Sequence, residues 1–458
     1  MGKKLNIFLI LIALGIFVFF HFYNLDKRIG FGWDQESYSY QVKSIIKDHK
    51  LTLIGPRNAD IKGFFLGPYF IYLLTPFFIL TRLHPSALLI FVAGYNLFFF
   101  FLSLFLLSSA FDLLTATFFM LFWSINYQLV KYDVIPWNPI FIPLGVIACW
   151  YILKRIYSKN ALWDWIVLGF LSGIMMNMHF SFIFIIIFAS VFIFFSQFKN
   201  FYKVWKKIAA AFASFFITFI PLVLFDLRHN FLNSRLFYDF FFNKQTKYPI
   251  DLKNWLPVLN NLVKPIILLE NSSLMIFFYL IILSMTFYLI KNNKNSFIKI
   301  FFKSALLIYL VFPVFFAIYG KRPSEYYFLF LMPFIYLTII YFFTKMQGIF
   351  LLWTILFLLI IINAKPLIGT ISEDMYGLFY KDKAIKELKS IIGKKDRLNI
   401  SYNVPIGENN GYNYLIEYYQ IKQSGDFSDP LLEIVVPPKQ GNITVGGIGI
   451  KIPKEFKR

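Results

Sequence analysis

The chain has 458 residues, of which 58% are hydrophobic and only 15% charged. Soluble globular domains run at about 45–50% apolar and about 25% charged, so that class is excluded, and disorder is excluded by the same hydrophobicity. The formal net charge of +21 would suggest nucleic acid in a soluble protein. Short cytoplasmic loops of membrane proteins collect Lys and Arg, however, and no nucleic-acid partner is expected here.

Lys3 and Lys4 precede an apolar stretch from Leu5 to Phe20, the pattern of a signal sequence. His21-Phe22-Tyr23-Asn24 follows without a small-residue cleavage site, so the stretch reads as an uncleaved first span. Further apolar runs lie at 63–80, 86–108, 111–130, 138–153, 162–177, 181–196, 208–225, 274–290, 304–320, 326–343 and 348–363. Most are near the length of roughly 20 residues that a bilayer core demands. The single cysteine, Cys149, sits in one of them, which rules out an intramolecular disulfide or a cysteine metal cluster.

Taking every run as a span, with the N-terminus inside, places three basic clusters outside: Lys154/Arg155/Lys159, Lys199/Lys203/Lys206/Lys207 and Lys291/Lys294/Lys299/Lys303. Removing one early run brings all three inside, together with Lys345. The run to remove is 63–80, which holds two prolines and two glycines and reads as an interfacial or re-entrant element. The positive-inside bias thus predicts eleven spans, a cytoplasmic N-terminus and an extracytoplasmic C-terminus in the cell membrane.

On that map residues 24–85 form a long first outer loop, and 1–363 form the membrane domain. Composition shifts after residue 363. In the tail, Lys381–Ile392 reads as an amphipathic helix with Ala384, Ile385, Leu388 and Ile392 on one face. Arg397–Val404, Leu431–Val436 and Ile443–Ile452 read as strands. Residues 364–458 are therefore expected to form a small α/β domain outside the membrane. The predicted class is an all-α polytopic membrane protein with this domain appended.

The polar residues of the outer side are the functional candidates. Asp34 and Glu36 lie in Phe31-Gly32-Trp33-Asp34-Gln35-Glu36-Ser37-Tyr38, just beyond the first span. The two share a site only if the segment is extended or turning, because residues i and i+2 of a helix do not face each other. Asp133 lies in Lys131-Tyr132-Asp133-Val134-Ile135-Pro136-Trp137-Asn138-Pro139, at the tip joining the third and fourth spans. His179 stands at the next outer tip, in Asn177-Met178-His179-Phe180-Ser181. Arg228 follows Asp226 after a later span, and Arg322, Glu325 and Tyr326 belong to the tip Lys321-Arg322-Pro323-Ser324-Glu325-Tyr326-Tyr327. Lys62 precedes the 63–80 run. Guanidinium suits bidentate phosphate recognition. Two acids, several cations and an interfacial apolar element on one surface suit a substrate with an anionic phosphate, a polar head and a lipid tail.

At these residues the chain resembles the C-type integral-membrane glycosyltransferases, most closely the protein O-mannosyltransferase and lipid A aminoarabinose transferase group. The resemblance is carried by Trp33-Asp34-Gln35, Ile61-Lys62-Gly63 and Tyr132-Asp133 ahead of Trp137-Asn138-Pro139. The family's Asp-Glu pair is Asp34-Gln35 here, with the glutamate moved to Glu36, and its Lys-Pro is Lys62-Gly63. The resemblance implies interfacial helices in the first outer loop and transfer of a sugar from a polyprenyl-phosphate donor, with inversion, to a protein, lipid or glycan acceptor. It implies that Asp34 and Asp133 are the catalytic pair, Asp34 acting as or positioning the base, with Lys62 and Arg228 or Arg322 on the phosphate. It leaves a divalent metal ion open. The competing reading is a lipid-linked glycan flippase or other polytopic transporter, which would carry its polar groups near the bilayer midplane. A non-catalytic scaffold would leave the loop acids unexplained.

Overall fold

The computed structural model describes residues 3–58, 63–198, 201–242, 258–260, 263, 266, 271–319, 324–346, 348–392, 398–424, 426 and 429–452. Among them six helices are long and apolar enough to cross a membrane: Ala87–Ala110, Asn138–Ser158, Phe180–Gln197, Ser272–Asn292, Ser296–Phe316 and Ile349–Thr370. Two bent pairs raise the number to as many as eight, set against the eleven spans expected. Four apolar runs form shorter helices, Asn6–Phe22, Tyr69–Leu80, Leu162–Met178 and Met332–Lys345.

The departures from simple spans have local causes. Helix Tyr69–Leu80 has 12 residues, a length of about 18 Å against a hydrocarbon core of about 30 Å. Too short to cross, it buries Phe70, Ile71, Leu74 and Phe78 and packs on helices Trp33–Asp48 and Ala87–Ala110. The run 111–130 does not continue straight: helices Leu113–Ser124 and Tyr127–Asp133 meet at 82°. Asn126 starts the second helix, its side-chain oxygen accepting from the Gln128 and Leu129 amides at 3.0 Å each. That cap satisfies donors exposed by the break. Helices Phe201–Ile217 and Ile220–Arg228 meet at 50°, with Pro221 in the first turn of the second, where a missing N–H is harmless. A Cβ at Gly169 would overlap the Ala211 carbonyl oxygen, so helices Leu162–Met178 and Phe201–Ile217 approach as small residues permit in lipid.

Helix Asn138–Ser158 has 21 residues, about 30 Å of rise, and so separates two ends of the bundle. At its C-terminal end Lys154 lies over the Phe297 ring at 4.5 Å and Arg155 pairs with Asp164 at 2.6 Å. Lys207 donates to the Asn160 carbonyl close by. Members of two basic clusters thus stand at one end, beside Phe297 from the segment that carries the third. The other end carries Asp133, Asn138 and the C-terminal domain.

Helix Ile349–Thr370 runs past residue 363 into that domain. Helix Leu378–Ile392 is followed by β1 (Asn399–Asn403), helix Tyr412–Tyr418, β2 (Leu431–Val435), β3 (Ile443–Val445) and β4 (Ile448–Lys451). The sheet order is β1-β2-β4-β3, with β1 and β2 parallel and the other pairings antiparallel. The stretch Ile443–Ile452, expected as one strand, folds back as a hairpin at Gly446-Gly447. Gly446 has φ of +62°, which glycine adopts without a Cβ penalty. Ala384, Ile385 and Leu388 are buried as expected.

Candidate functional site

The site is organised by helix Trp33–Asp48. Its start is fixed by Gln35, whose Oε1 accepts from the Gly32 amide at 3.1 Å, half of a capping box. The Gln35 amide group also donates to the Pro136 carbonyl at 3.4 Å. One turn on, buried Tyr38 donates to Asn138 Oδ1 at 3.2 Å, and Asn138 Nδ2 donates to the Met178 carbonyl. These bonds tie the Asp34 helix, the 133–138 turn and the His179 tip into one cluster.

Asp34 lies in the first turn, half-buried. No hydrogen bond or ion pair reaches its carboxylate among the described residues. Burial raises its pKa above the ordinary aspartate value, even though a helix N-terminus favours the anion. Desolvation therefore outweighs the macrodipole, and the result is an available carboxylate of increased basicity. Burial raises the pKa of the Tyr38 phenol, and Asp34 and Tyr326 add to that rise.

Glu36 points elsewhere. The segment is helical, so Glu36 and Asp34 diverge. Glu36 is 7% exposed, and its two oxygens accept from the Gly411 and Tyr414 amides of the C-terminal domain at 2.9 Å each.

Asp133 ends the short helix beyond the break and is 5% exposed. Its Oδ2 accepts from Trp123 Nε1 at 2.8 Å and faces His21 Nε2 at 3.1 Å. Its carbonyl accepts from Asn96 at 3.0 Å. His21 Nδ1 faces the Phe17 carbonyl at 2.9 Å. A carbonyl can only accept, so Nδ1 carries the hydrogen of that contact. Asp133 thus anchors the 82° break to the first helix.

His179 is 3% exposed. Its Nδ1 accepts from the Ser181 amide at 3.3 Å and lies 2.7 Å from the Ser181 hydroxyl, which leaves the hydrogen on Nε2. Burial lowers its pKa to about 3, so the ring is neutral at physiological pH. It packs edge-on against Tyr326 and Tyr327 at 5.7 and 5.0 Å, and Tyr326 packs against Trp137 at 5.0 Å. Glu325 Oε2 accepts from Gln128 Nε2 at 2.8 Å and the Tyr132 hydroxyl at 3.0 Å.

The first loop reaches the same cluster through a narrow hairpin. Gly55 pairs with Leu66 and Asn58 with Phe64 through the backbone, and the Tyr327 hydroxyl donates to Asn58 Oδ1 at 3.4 Å. Phe65 exchanges bonds with Asn233 at 2.7 and 3.1 Å, and Asp226 caps the helix that holds Asn233. Arg228 stands exposed on that turn. Arg57, placed over the Phe65 ring at 4.5 Å, is a cation the sequence reading passed over. Lys62 and Arg322 lie outside the described residues.

The structure therefore gathers His179, Glu325 and Tyr326 around the Asp34 helix and the turn after Asp133. Glu36 is turned to the C-terminal domain and Arg228 lies on an adjoining turn. Sequence reading missed Tyr38, Gln128, Asn58 and His21. A histidine next to an apolar span was the available signal for His21; the others carry none beyond polarity near span ends. No group of three or more His, Cys, Asp or Glu side chains among the described residues fits a metal ion, and Asp133 Oδ2 is engaged by Trp123 and His21.

No protein-family model matches the sequence, and a search of curated proteins finds no relative. Solved structures do match in fold. ArnT from Cupriavidus metallidurans, bound to undecaprenyl phosphate, superposes with a TM-score of 0.61 at 10% identity, covering 98% of both chains. The Archaeoglobus fulgidus oligosaccharyltransferase matches in its apo form (TM-score 0.54, 12% identity) and in its complex with Zn and sulfate (TM-score 0.51, 13% identity). Those matches cover 92% and 91% of this chain but only 64% and 62% of the oligosaccharyltransferase. The chain has the fold of the C-type membrane glycosyltransferases.

Proposed function

We propose that this protein is a membrane glycosyltransferase that moves a sugar from a polyprenyl-phosphate donor to an acceptor at the outer membrane surface. The observation that carries the reading is Asp34, a half-buried carboxylate with raised pKa and no partner among the described residues, in a fold shared with ArnT. In this reading the positive-inside bias of the basic loops supports a cytoplasmic N-terminus and an outer C-terminal domain, with residues 1–363 as the membrane domain and 364–458 as the appended one.

Asp34 takes the proton of the acceptor nucleophile as that atom attacks the anomeric carbon. The new glycosidic bond forms as the sugar–phosphate bond breaks, and the electron pair leaves on the lipid phosphate. Direct displacement inverts the anomeric centre. Phosphate leaves without protonation, so no general acid is required. Cations stabilise the charge that grows on it: Lys62 and Arg322 by sequence, and Arg228 from the turn beside the first-loop hairpin. The His179 Nε2–H is an uncharged donor suited to a donor-sugar or phosphate oxygen. Glu325, bonded to Gln128 and Tyr132, and Tyr326, packed on His179 and Trp137, are the remaining substrate-binding groups. Asp133 acts through structure, holding the 127–138 segment that meets the Asp34 helix.

Purified protein in vesicles, incubated with labelled polyprenyl-phosphate sugars and outer-surface acceptors, is expected to consume one donor and release polyprenyl phosphate. If every donor survives intact while flipping between leaflets is accelerated, the transporter reading replaces this one.

A further inference from the structure

The C-terminal domain grips the segment that carries Asp34 from two directions. Glu36, one turn into helix Trp33–Asp48, accepts from the Gly411 and Tyr414 amides. In return Lys381, 2% exposed, donates from helix Leu378–Ile392 to the Phe31 carbonyl at 3.0 Å and the Asn410 carbonyl at 2.6 Å. Its ammonium also lies over the Tyr412 ring at 4.9 Å. Phe31 precedes Asp34 by three residues and Glu36 follows it by two, so the bonds straddle the carboxylate.

The backbones between these bonds are in direct contact. Gly411 has φ of +90°, and a Cβ there would overlap the Phe31 carbonyl oxygen. A Cβ at Gly377 would lie 2.7 Å from the Ile29 carbonyl oxygen, which accepts from the Leu378 amide at 2.8 Å. The first turn therefore cannot slide or rotate without breaking bonds to buried charged groups, and such bonds are costly to leave unmade. Burial lowers the Lys381 pKa, while Glu408, Asp374 and Glu36 oppose that shift.

We infer that the C-terminal domain sets the position of Asp34, with Glu36 and Lys381 as positioning residues that hold its helix turn from either side. The inference rests on Asp34 being the base of the proposed transfer reaction. It assigns the domain a role in rate rather than in substrate capture, because an error of about 1 Å at a reacting group can cost about 10²-fold.

The test uses the full chain in vesicles with the labelled polyprenyl-phosphate sugar, together with amide hydrogen exchange of residues 29–38. Glu36→Gln keeps one neutral acceptor, and Lys381→Met keeps the length but loses the donors. Each variant is expected to lose about 10- to 100-fold in kcat at nearly unchanged donor KM, with faster exchange in residues 29–38. The double variant should lose little more than the worse single one, since both act on one turn. Lys381→Gln, the gentler change that retains an N–H donor, should recover part of kcat. A raised donor KM at unchanged kcat in Glu36→Gln would make Glu36 a substrate contact and overturn the inference, as would fully multiplicative losses. Unchanged exchange in variants of an active enzyme also overturns it and leaves the transferase reading standing. If wild-type protein transfers no sugar, that reading falls, and the exchange measurements alone decide whether the clamp exists.

Discussion

Asp34 and Asp133 are brought to the same end of the bundle by neighbouring segments, yet their surroundings are opposite. Asp133 has Trp123 and His21 on one oxygen and Asn96 on its own carbonyl, and it joins the broken pair Leu113–Ser124 and Tyr127–Asp133 to the first helix. Asp34 is half-buried without a hydrogen bond among the described residues, and desolvation raises it. The comparison teaches that partners, more than depth, decide what a carboxylate is available to do. A carboxylate held by neighbouring side chains fixes structure, while a desolvated one without donors is poised to take a proton.

The largest expected effect comes from removing the unpaired member. Asp34→Asn should lower transfer about 10²- to 10⁴-fold, the range of a lost general base. Its melting temperature should be unchanged or higher. The sign follows from the raised pKa: folding disfavours the charged form, so an ionised Asp34 costs stability at neutral pH and a neutral amide relieves that cost. A variant that melts early would mean Asp34 has structural partners after all.

Asp133→Leu reverses the pattern. It strands the Trp123 N–H and the His21 ring without an acceptor, and about 3 kcal/mol of stability should be lost, read from denaturation in detergent. Wild-type stability with abolished transfer would put Asp133 in the chemistry and dissolve the contrast. His179→Gln is a finer probe. With its pKa near 3, His179 is neutral through the working range, so its loss should slow transfer about tenfold without moving the acid limb of the pH–rate profile. A displaced limb would show that His179 titrates during turnover. The smallest effect belongs to Lys43→Gln, which removes the solvent-exposed pair with Glu417 at the edge of the C-terminal domain. Exposed pairs contribute about 0–1 kcal/mol, and kcat should stay within about twofold of wild type. A large fall would mean the domain is held mainly at that edge.

Composition and hydropathy were enough to give the membrane class and the C-terminal α/β domain, because long apolar runs and a sharp loss of apolarity are first-order signals. Charge parity of the basic loops, with Pro68, Pro76 and two glycines choosing the run, marked 63–80 as an interfacial or re-entrant element. The 82° break at Asn126 was not legible, since Ser124, Asn126 and Gln128 stand as scattered polar residues inside an otherwise apolar run and the cap is a single residue. The one-strand reading of Ile443–Ile452 failed because Gly446-Gly447 sits inside a run of alternating apolar residues. At the site, Asp34, Asp133, His179 and Glu325 were legible as polar residues beside spans. Which of them are saturated depends on partners distant in sequence, such as His21 for Asp133 and Gly411 for Glu36. No local pattern reports those pairings.

The central claim is that Asp34 is the base. The most direct measurement is the single-turnover rate of transfer from donor-loaded enzyme as a function of pH. The account predicts a rate that rises with pH along one ionisation above the ordinary aspartate range, with that limb absent from the residual activity of Asp34→Asn. A flat profile, or a limb that persists in Asp34→Asn, would contradict it.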